Sequence, residues 1–230
     1  AAATMPPDSA SPDFLQGGHA MGERIRAFDW ASHPLGPPAG WPQALRMALS
    51  LCLSSSFPTA IYWGPEGYLL YNDAWAPIPA DRHPRVLGLP AREAWSDIWH
   101  VVGPQLEQVS ATGEGFATYE QMLPMVRDGQ VRETWWNYSF TAIRNPDHSV
   151  GGIFNQGHEI TDVVFARRER QAEVQRWRDR FRQAPAGVAL LRGPEHRFEI
   201  ANEAYLELVG HRDITGHTVA EALPEAAGQG

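Results

Sequence analysis

The stretch YEQMLPMVRDGQVRETWWNYSFTAI, residues 119–143, places an Asp-Gly pair between two apolar runs. Such a pair is a strong signal for the tight turn of a β-hairpin, because both residues tolerate the left-handed backbone that this turn requires. On the second strand Trp136, Tyr138 and Phe140 fall on one face, which we expect to point into the core. A third strand is predicted over residues 150–158, so this part of the chain should form an antiparallel meander.

Helices and a second hairpin are predicted before the meander. Apolar residues at helical spacing indicate an amphipathic helix over residues 41–53 and a longer one over residues 98–109. The turn GPEG between residues 60–63 and 68–71 predicts a hairpin, and a short helix is predicted over residues 73–78. The mixture of helices and antiparallel strands indicates an α+β fold.

Composition and charge exclude several classes of protein. The 230 residues contain 19 Lys and Arg against 27 Asp and Glu, a formal net charge of −8, which argues against a basic nucleic-acid binder. The single cysteine, Cys52, excludes an intrachain disulfide and argues against a cysteine-based zinc site. The sequence has no apolar run long enough to span a bilayer and no signal-peptide pattern at its start, so we expect a cytoplasmic segment.

Three short motifs recur in the same order. GPE at 64–66 returns at 193–195, YNDAW at 71–75 is echoed by ANEAY at 201–205, and GLPAREAWSD at 88–97 is echoed by GHTVAEALPE at 216–225. An ordered recurrence at a nearly constant spacing predicts a duplicated structural unit. The second copy stops before any counterpart of the meander, so we expect a truncated domain and a chain excised from a longer protein.

A charged helix is predicted over residues 160–182. Its heptad spacing places Val163, Val174, Trp177 and Phe181 on one seam, together with two arginines. An exposed connector helix and a parallel dimeric coiled coil both fit this pattern, and the apolar seam favours the coiled coil.

Four groups of residues carry a resemblance to the PAS sensor domain. They are Asn72-Asp73-Ala74, Gly88 with Glu93 and Trp95, Thr112-Gly113-Glu114, and Glu159-Ile160-Thr161-Asp162 at the exit. The stretches HPLGPPAGWPQALR and WAPIPADRHP resemble the PAS domains that begin many multi-domain bacterial sensor histidine kinases. The likeness spans about residues 28–165 and a partial second copy.

The resemblance implies a PAS fold, with a five-stranded antiparallel sheet cradling a small-molecule pocket beneath the helices. The implied organisation is a flexible tail, an N-terminal helical cap, a first PAS domain, a signalling connector helix and a partial second PAS domain. These segments span residues 1–20, 21–56, 57–160, 161–183 and 184–230, respectively.

Two sets of candidate site residues follow. The candidate pocket residues are Tyr71, Trp75, Trp95, Trp99, His100, Trp136, Tyr138, Phe154 and Gln156. The candidate relay and dimer residues are Glu159, Thr161, Asp162, Val163, Val174, Trp177 and Phe181. The alternative for the aromatic residues is that they simply fill the core.

The resemblance also bears on cofactors and partners. His100 opens the helix that carries the axial histidine in haem-binding PAS domains, whereas Cys52 lies outside the helix that carries the reactive cysteine in flavin-binding ones. Neither haem nor flavin is expected, no metal site is predicted, and the identity of any ligand is left open. We expect a homodimer, a downstream kinase domain of the same protein and a possible small-molecule ligand, with no nucleic-acid or membrane contact.

The leading hypothesis is a sensory and dimerisation segment of a bacterial signal-transduction protein, most consistent with a sensor histidine kinase and with no catalytic residue in this chain. A module of a cyclic-dinucleotide enzyme or a phosphatase is an alternative. A small α+β enzyme using Glu93, Asp97, His100 or Glu114 is another. A structural dimerisation module is favoured if its own tryptophans close the pocket.

Overall fold

The computed structural model describes residues 13–225, which divide into unit 1, ending at Thr161, and unit 2, beginning at Asp162. The strands are β1 Thr59–Trp63, β2 Tyr68–Tyr71, β3 Phe116–Arg127, β4 Gln130–Arg144, β5 Val150–Glu159, β6 Ala189–Arg192 and β7 Arg197–Ala201. The helices are α1 His19–Ala27, α2 Gln43–Ser54, α3 Ala91–Ala94, α4 Trp99–Thr112, α5 Thr161–Gln183, α6 Glu203–Leu208 and α7 Val219–Ala222. Short 3-10 turns lie at Asp13–Leu15, Pro38–Gly40 and Ala80–Arg82.

Unit 1 is built on one five-stranded sheet in the order β2-β1-β5-β4-β3, with every neighbouring pair antiparallel. The predicted α+β fold with a five-stranded antiparallel sheet and flanking helices is therefore confirmed. Asp128 and Gly129 join β3 to β4 with φ values of 52° and 72°, the left-handed backbone expected of the predicted turn.

Helices cover the sheet. The apolar side of α4 buries Val102, Leu106 and Val109, and the helix packs on β3, β4 and β5. Gly113, with φ of 68°, ends α4 and donates its N–H to the Val109 carbonyl. Helix α2 packs on β1, β2, β4 and β5, and all five residues of β1 are buried, so both faces are covered at the centre of the sheet.

Two expectations differ from the structure. Residues 73–79 form consecutive turns rather than a helix, because Pro77 has no N–H to continue the helical hydrogen bonds. In the segment 1–20, expected to be a flexible tail, residues 1–12 lie outside the described residues, but Leu15 is 1% exposed and packs in the core.

In the described part of the chain, no helix combines the length and apolar character needed to cross a bilayer.

Unit 2 contains α5, a two-stranded antiparallel sheet of β6 and β7, and the short helices α6 and α7. Thr218 and Glu221 form a capping box at the start of α7, each side chain bonding the backbone N–H of the other residue. Leu190 and Leu191 on β6 remain half exposed, whereas Phe198 on β7 is buried.

The predicted repeat has a counterpart in the hydrogen bonds of both units. In unit 1 the Asn72 side chain accepts from the Thr59 and Trp75 N–H groups and donates to the Ser55 and Phe57 carbonyls. In unit 2 the Asn202 side chain accepts from the Val188 and Tyr205 N–H groups and donates to the Ala184 and Ala186 carbonyls. Both amides are 1% exposed. One buried amide therefore ties a strand start to the following turn in each unit.

We expect Asn72→Ala to lower the free energy of unfolding by about 2–4 kcal/mol, because two buried N–H groups and two partly buried carbonyls lose their partner. Hydrogen exchange should increase over residues 55–75 and stay unchanged over residues 184–208. Asn202→Ala is the matched control and should give the reverse pattern. Identical effects of the two variants on both segments would contradict this assignment.

Candidate functional site

A small cavity of about 50 Å³ lies between the sheet and the helices of unit 1. Six aromatic residues line it, namely Tyr62, Trp75, Trp95, Trp136, Tyr138 and Phe140. The remaining lining is aliphatic, apart from Gly157 and the polar side chain of Asn155. The cavity therefore presents aromatic faces with few polar groups.

The three indoles that line the cavity all have a hydrogen-bond acceptor. Trp75 Nε1 donates to Asn155 Oδ1 at 3.3 Å, and Trp95 Nε1 donates to the Tyr62 hydroxyl at 2.8 Å. Trp136 Nε1 donates to Thr134 Oγ1 at 2.7 Å. A buried indole N–H is costly when it is unpaired, so these bonds hold the three rings in fixed orientations.

The two phenols of the cavity are neutral groups at physiological pH. Burial raises the pKa of Tyr138, whose hydroxyl donates to Gln105 Oε1 at 2.7 Å, to about 12. Burial also raises the pKa of Tyr62, because its phenolate would be desolvated. In the described residues no carboxylate, histidine, cysteine or cationic side chain lines the cavity.

The volume limits what the cavity can hold. About 50 Å³ admits a few water molecules or a compound of similar size. A haem or flavin ring system needs a pocket of roughly 300 Å³ or more. In this packing the tryptophans of the chain occupy the space that a larger ligand would need.

The predicted pocket residues separate into five groups. Trp75, Trp95, Trp136 and Tyr138 line the cavity, whereas Trp99 lines a different, outer cleft. Tyr71 is buried beside the cavity and shares a hydrogen bond of 2.9 Å with His83 Nδ1. His100 is exposed. Phe154 and Gln156 alternate with Ile153 and Asn155 along β5, which places them on the opposite face of the sheet.

Sequence reasoning missed Tyr62 as a lining residue. It lies in the run AIYW, in which every residue is buried, so alternation along the strand gives no sign of which side chain faces the cavity. Its only sequence signal is that a tyrosine within an apolar strand needs a partner for its hydroxyl.

A second cluster lies at the end of β5, where unit 1 leads into α5. Arg127 forms a bidentate ion pair with Glu159, in which Nη2 lies 2.8 Å from Oε2 and Nη1 lies 3.3 Å from Oε1. The Thr161 hydroxyl donates to Glu159 Oε1 at 2.5 Å and accepts the Trp135 N–H at 3.0 Å. The guanidinium carbon of Arg127 also lies 5.8 Å from the centroid of the Trp136 ring, which lines the cavity. We call Arg127, Glu159 and Thr161 the exit cluster.

The other predicted relay residues lie on α5. Asp162 and Val163 are exposed in its first turn, and Val174 and Trp177 are about half exposed. The rings of Trp177 and Phe181 stack, with centroids 5.5 Å apart. The structure thus places an apolar strip along part of this helix.

The structure does not assemble the proposed acid–base residues. Asp97 is paired with Arg82 at 2.9 Å and accepts the Val126 N–H at 2.8 Å, while Glu93, His100 and Glu114 are exposed. Within residues 13–225, no group of three His, Cys, Asp or Glu side chains is close enough to hold a metal ion.

No family model matches the chain, and no curated protein matches it. The chain resembles solved structures of sensory domains. An RNA-binding light-oxygen-voltage receptor is 15% identical, with 78% of this chain and 43% of that chain covered and a TM-score of 0.40. A sensory box sensor histidine kinase from Vibrio cholerae is 13% identical, with a TM-score of 0.38. The match covers 51% of this chain and 93% of the kinase chain.

A light-oxygen-voltage protein from Rhodobacter sphaeroides is 10% identical, with a TM-score of 0.41. The match covers 51% of this chain and 67% of the light-oxygen-voltage protein. The chain spans less than half the length of the RNA-binding receptor. These TM-scores and identities are low. The fold is therefore defined by the strand pairing of the chain itself, and its function is inferred from its own side-chain contacts.

The buried phenols predict alkaline instability. Tyr138 ionises near its ordinary pKa of 10.0 when unfolded, whereas the folded protein retains the proton up to about 12, so proton loss favours unfolding. The free energy of unfolding should therefore fall as the pH rises from about 10 to about 12. Urea titrations across this range measure the slope, which Tyr138→Phe should reduce. An equal slope in wild type and variant would contradict the prediction.

The exit cluster predicts a specific role for the guanidinium. Arg127→Lys keeps the charge but removes the paired hydrogen bonds and the stacking on Trp136. Hydrogen exchange in residues 160–165 should become several-fold faster, because Glu159 and Thr161 lose their anchor. Arg132→Lys is the control, since the ion pair of Arg132 with Asp128 is exposed. Equal exchange in both variants would show that the cluster does not order the start of α5.

Proposed function

We propose that this chain is a cytoplasmic sensory and dimerisation segment of a signal-transduction protein, with α5 as its output element. We further propose a bacterial sensor histidine kinase working in a phosphorelay as the parent protein. The observation that carries the proposal is the exit cluster. It joins Trp136, a cavity residue, to Glu159 and Thr161, which precede and begin α5.

The contacts support a route by which a cue at the cavity acts on the helix. The Trp136 ring contacts the cavity and also lies beneath the guanidinium of Arg127. Arg127 in turn holds Glu159, whose carboxylate accepts a hydrogen bond from the Thr161 hydroxyl. A shift of the Trp136 ring therefore changes the position of the cation that orients the first residue of α5. Such a packed, hydrogen-bonded chain of contacts is a physical route for coupling.

A parallel dimer through α5 agrees with the charges on that helix. Val174 and Phe181 occupy one core position of the heptad, and Val163 and Trp177 occupy the other. Glu173 and Arg178 occupy the positions that flank this seam. In a parallel pair, Glu173 of one helix faces Arg178 of the second copy. Burying the half-exposed Trp177 supplies an apolar contribution near the same place.

The enzyme hypothesis receives less support. The cavity lining offers phenols whose pKa values are raised by burial, and the carboxylate of Asp97 is already paired with Arg82. General acid–base chemistry near neutral pH needs a group whose pKa lies near 7 and which reaches the substrate. The other residues proposed for that role, Glu93, His100 and Glu114, are exposed.

The test is the mass of the chain in solution by light scattering. Wild type should be a dimer, and Trp177→Glu should dissociate it, because the substitution places two like charges opposite each other in the seam. Ala172→Glu is the matched control, since this residue lies on the outer side of the same helix, and it should remain a dimer. A wild-type monomer at high concentration, or equal masses for the two variants, would contradict the dimerisation role.

A further inference from the structure

Three arginines of unit 1 lie over tryptophan rings. The distances from the guanidinium carbon to the ring centroid are 4.9 Å for Arg82 over Trp95, 5.8 Å for Arg127 over Trp136 and 5.2 Å for Arg92 over Trp99. A guanidinium that stacks on an aromatic face keeps its in-plane N–H donors available. These donors match the two oxygens of a carboxylate.

Two of the three stacks are completed by a carboxylate of the chain. Arg82 Nη1 lies 2.9 Å from Asp97 Oδ1, and Arg127 Nη2 lies 2.8 Å from Glu159 Oε2. The guanidinium of Arg92, in contrast, has no hydrogen bond or ion pair with any residue between 13 and 225. The Arg92 stack therefore has the aromatic face and the cation but lacks the anion that the other two contain.

The ring beneath Arg92 is held in place by the fold. Trp99 begins α4, and Gly103 lies one turn later in the same helix. A Cβ atom at Gly103 would come within 2.7 Å of the Trp99 ring, so the indole packs directly against the helix there. This packing orders Trp99, and the stacking orders Arg92 without using its donors.

Both residues line an outer cleft of about 790 Å³. This volume is within the range of small-molecule sites, which is roughly 300–1,000 Å³. The cleft lies between α3 and α4, the β1–β2 turn and the start of β5, and includes the apolar side chains of Trp63, Leu106 and Ile153. Tyr62 lines both this cleft and the core cavity.

We propose that the outer cleft binds a small organic monocarboxylate with an aromatic or aliphatic body. The carboxylate of the ligand pairs with Arg92, as Asp97 and Glu159 pair with the other two stacked arginines. The body of the ligand packs on Trp99 and the apolar side chains of the cleft. Glu66 and Glu107 also line the cleft, and because their charges repel every carboxylate, a ligand with one carboxylate is favoured over a ligand with two.

Two probe acids test the proposal, 3-phenylpropionate and hexanoate, titrated into the ¹⁵N-labelled chain. The amide signals of Gly64, Gly67, Gly151 and Gly152 report on the cleft, and that of Gly157 reports on the core cavity. We expect saturable shifts of the cleft glycines with dissociation constants of about 1–10 mM, the range for ligands of this size. The neutral amides of the two acids should bind at least tenfold more weakly.

Arg92→Met should also weaken binding at least tenfold, because it keeps an apolar side chain but removes the cation. The exposed position of Arg92 means that the fold should tolerate the change. Arg46→Met is the matched control, since Arg46 stacks on Phe14 at 5.9 Å outside the cleft, and it should bind like wild type.

Several results would overturn the proposal. Unmoved cleft glycines with both acids at about 10 mM would show that the cleft is not a carboxylate site. Equal binding by wild type and Arg92→Met would show that the cation is not used. Shifts confined to Gly157 would place binding in the core cavity instead. None of these outcomes depends on the oligomeric state of α5, so the two proposals can fail separately.

Discussion

Burying an indole ring removes its N–H from water, and the interior of unit 1 is arranged around this constraint. Trp75, Trp95 and Trp136 find their acceptors on three different strands, at Asn155, Tyr62 and Thr134. Each bond joins ring orientation to the position of a strand, so the rings cannot rotate without leaving a buried donor unpaired. The cavity between them is small for this reason, and any cue that acts there must work through small changes in packing.

The faces of the same rings carry a second set of interactions. Trp95 and Trp136 each lie under an arginine that is paired with a carboxylate, and for Trp136 that carboxylate is Glu159 at the end of β5. The Trp136 ring thus lines the cavity, donates its N–H to Thr134 and stacks against Arg127 of the exit cluster. This sharing is the physical reason for proposing a relay role for this end of unit 1.

The duplicated amide shows how much can be encoded locally. Asn72 and Asn202 make the same four kinds of hydrogen bond within short stretches of chain, so local hydrogen bonds hold the hairpin entry of each unit. The surroundings differ between the units. In unit 1, β1 lies between β2 and β5 and is fully buried, whereas within the described residues β6 pairs with β7 alone and keeps Leu190 half exposed.

The sequence by itself determined the α+β class, the Asp-Gly hairpin and the aromatic face of β4, because turn chemistry and the two periodicities act over a few residues. It also indicated Trp75, Trp95, Trp136 and Tyr138, which the structure brings together. Only the tertiary structure decided that Trp99 faces an outer cleft, that Tyr62 lines both sites and that Arg92 lacks a carboxylate. Those outcomes depend on strand register and helix placement, which bring together residues as distant as Trp75 and Asn155, 80 positions apart, and which no local pattern contains.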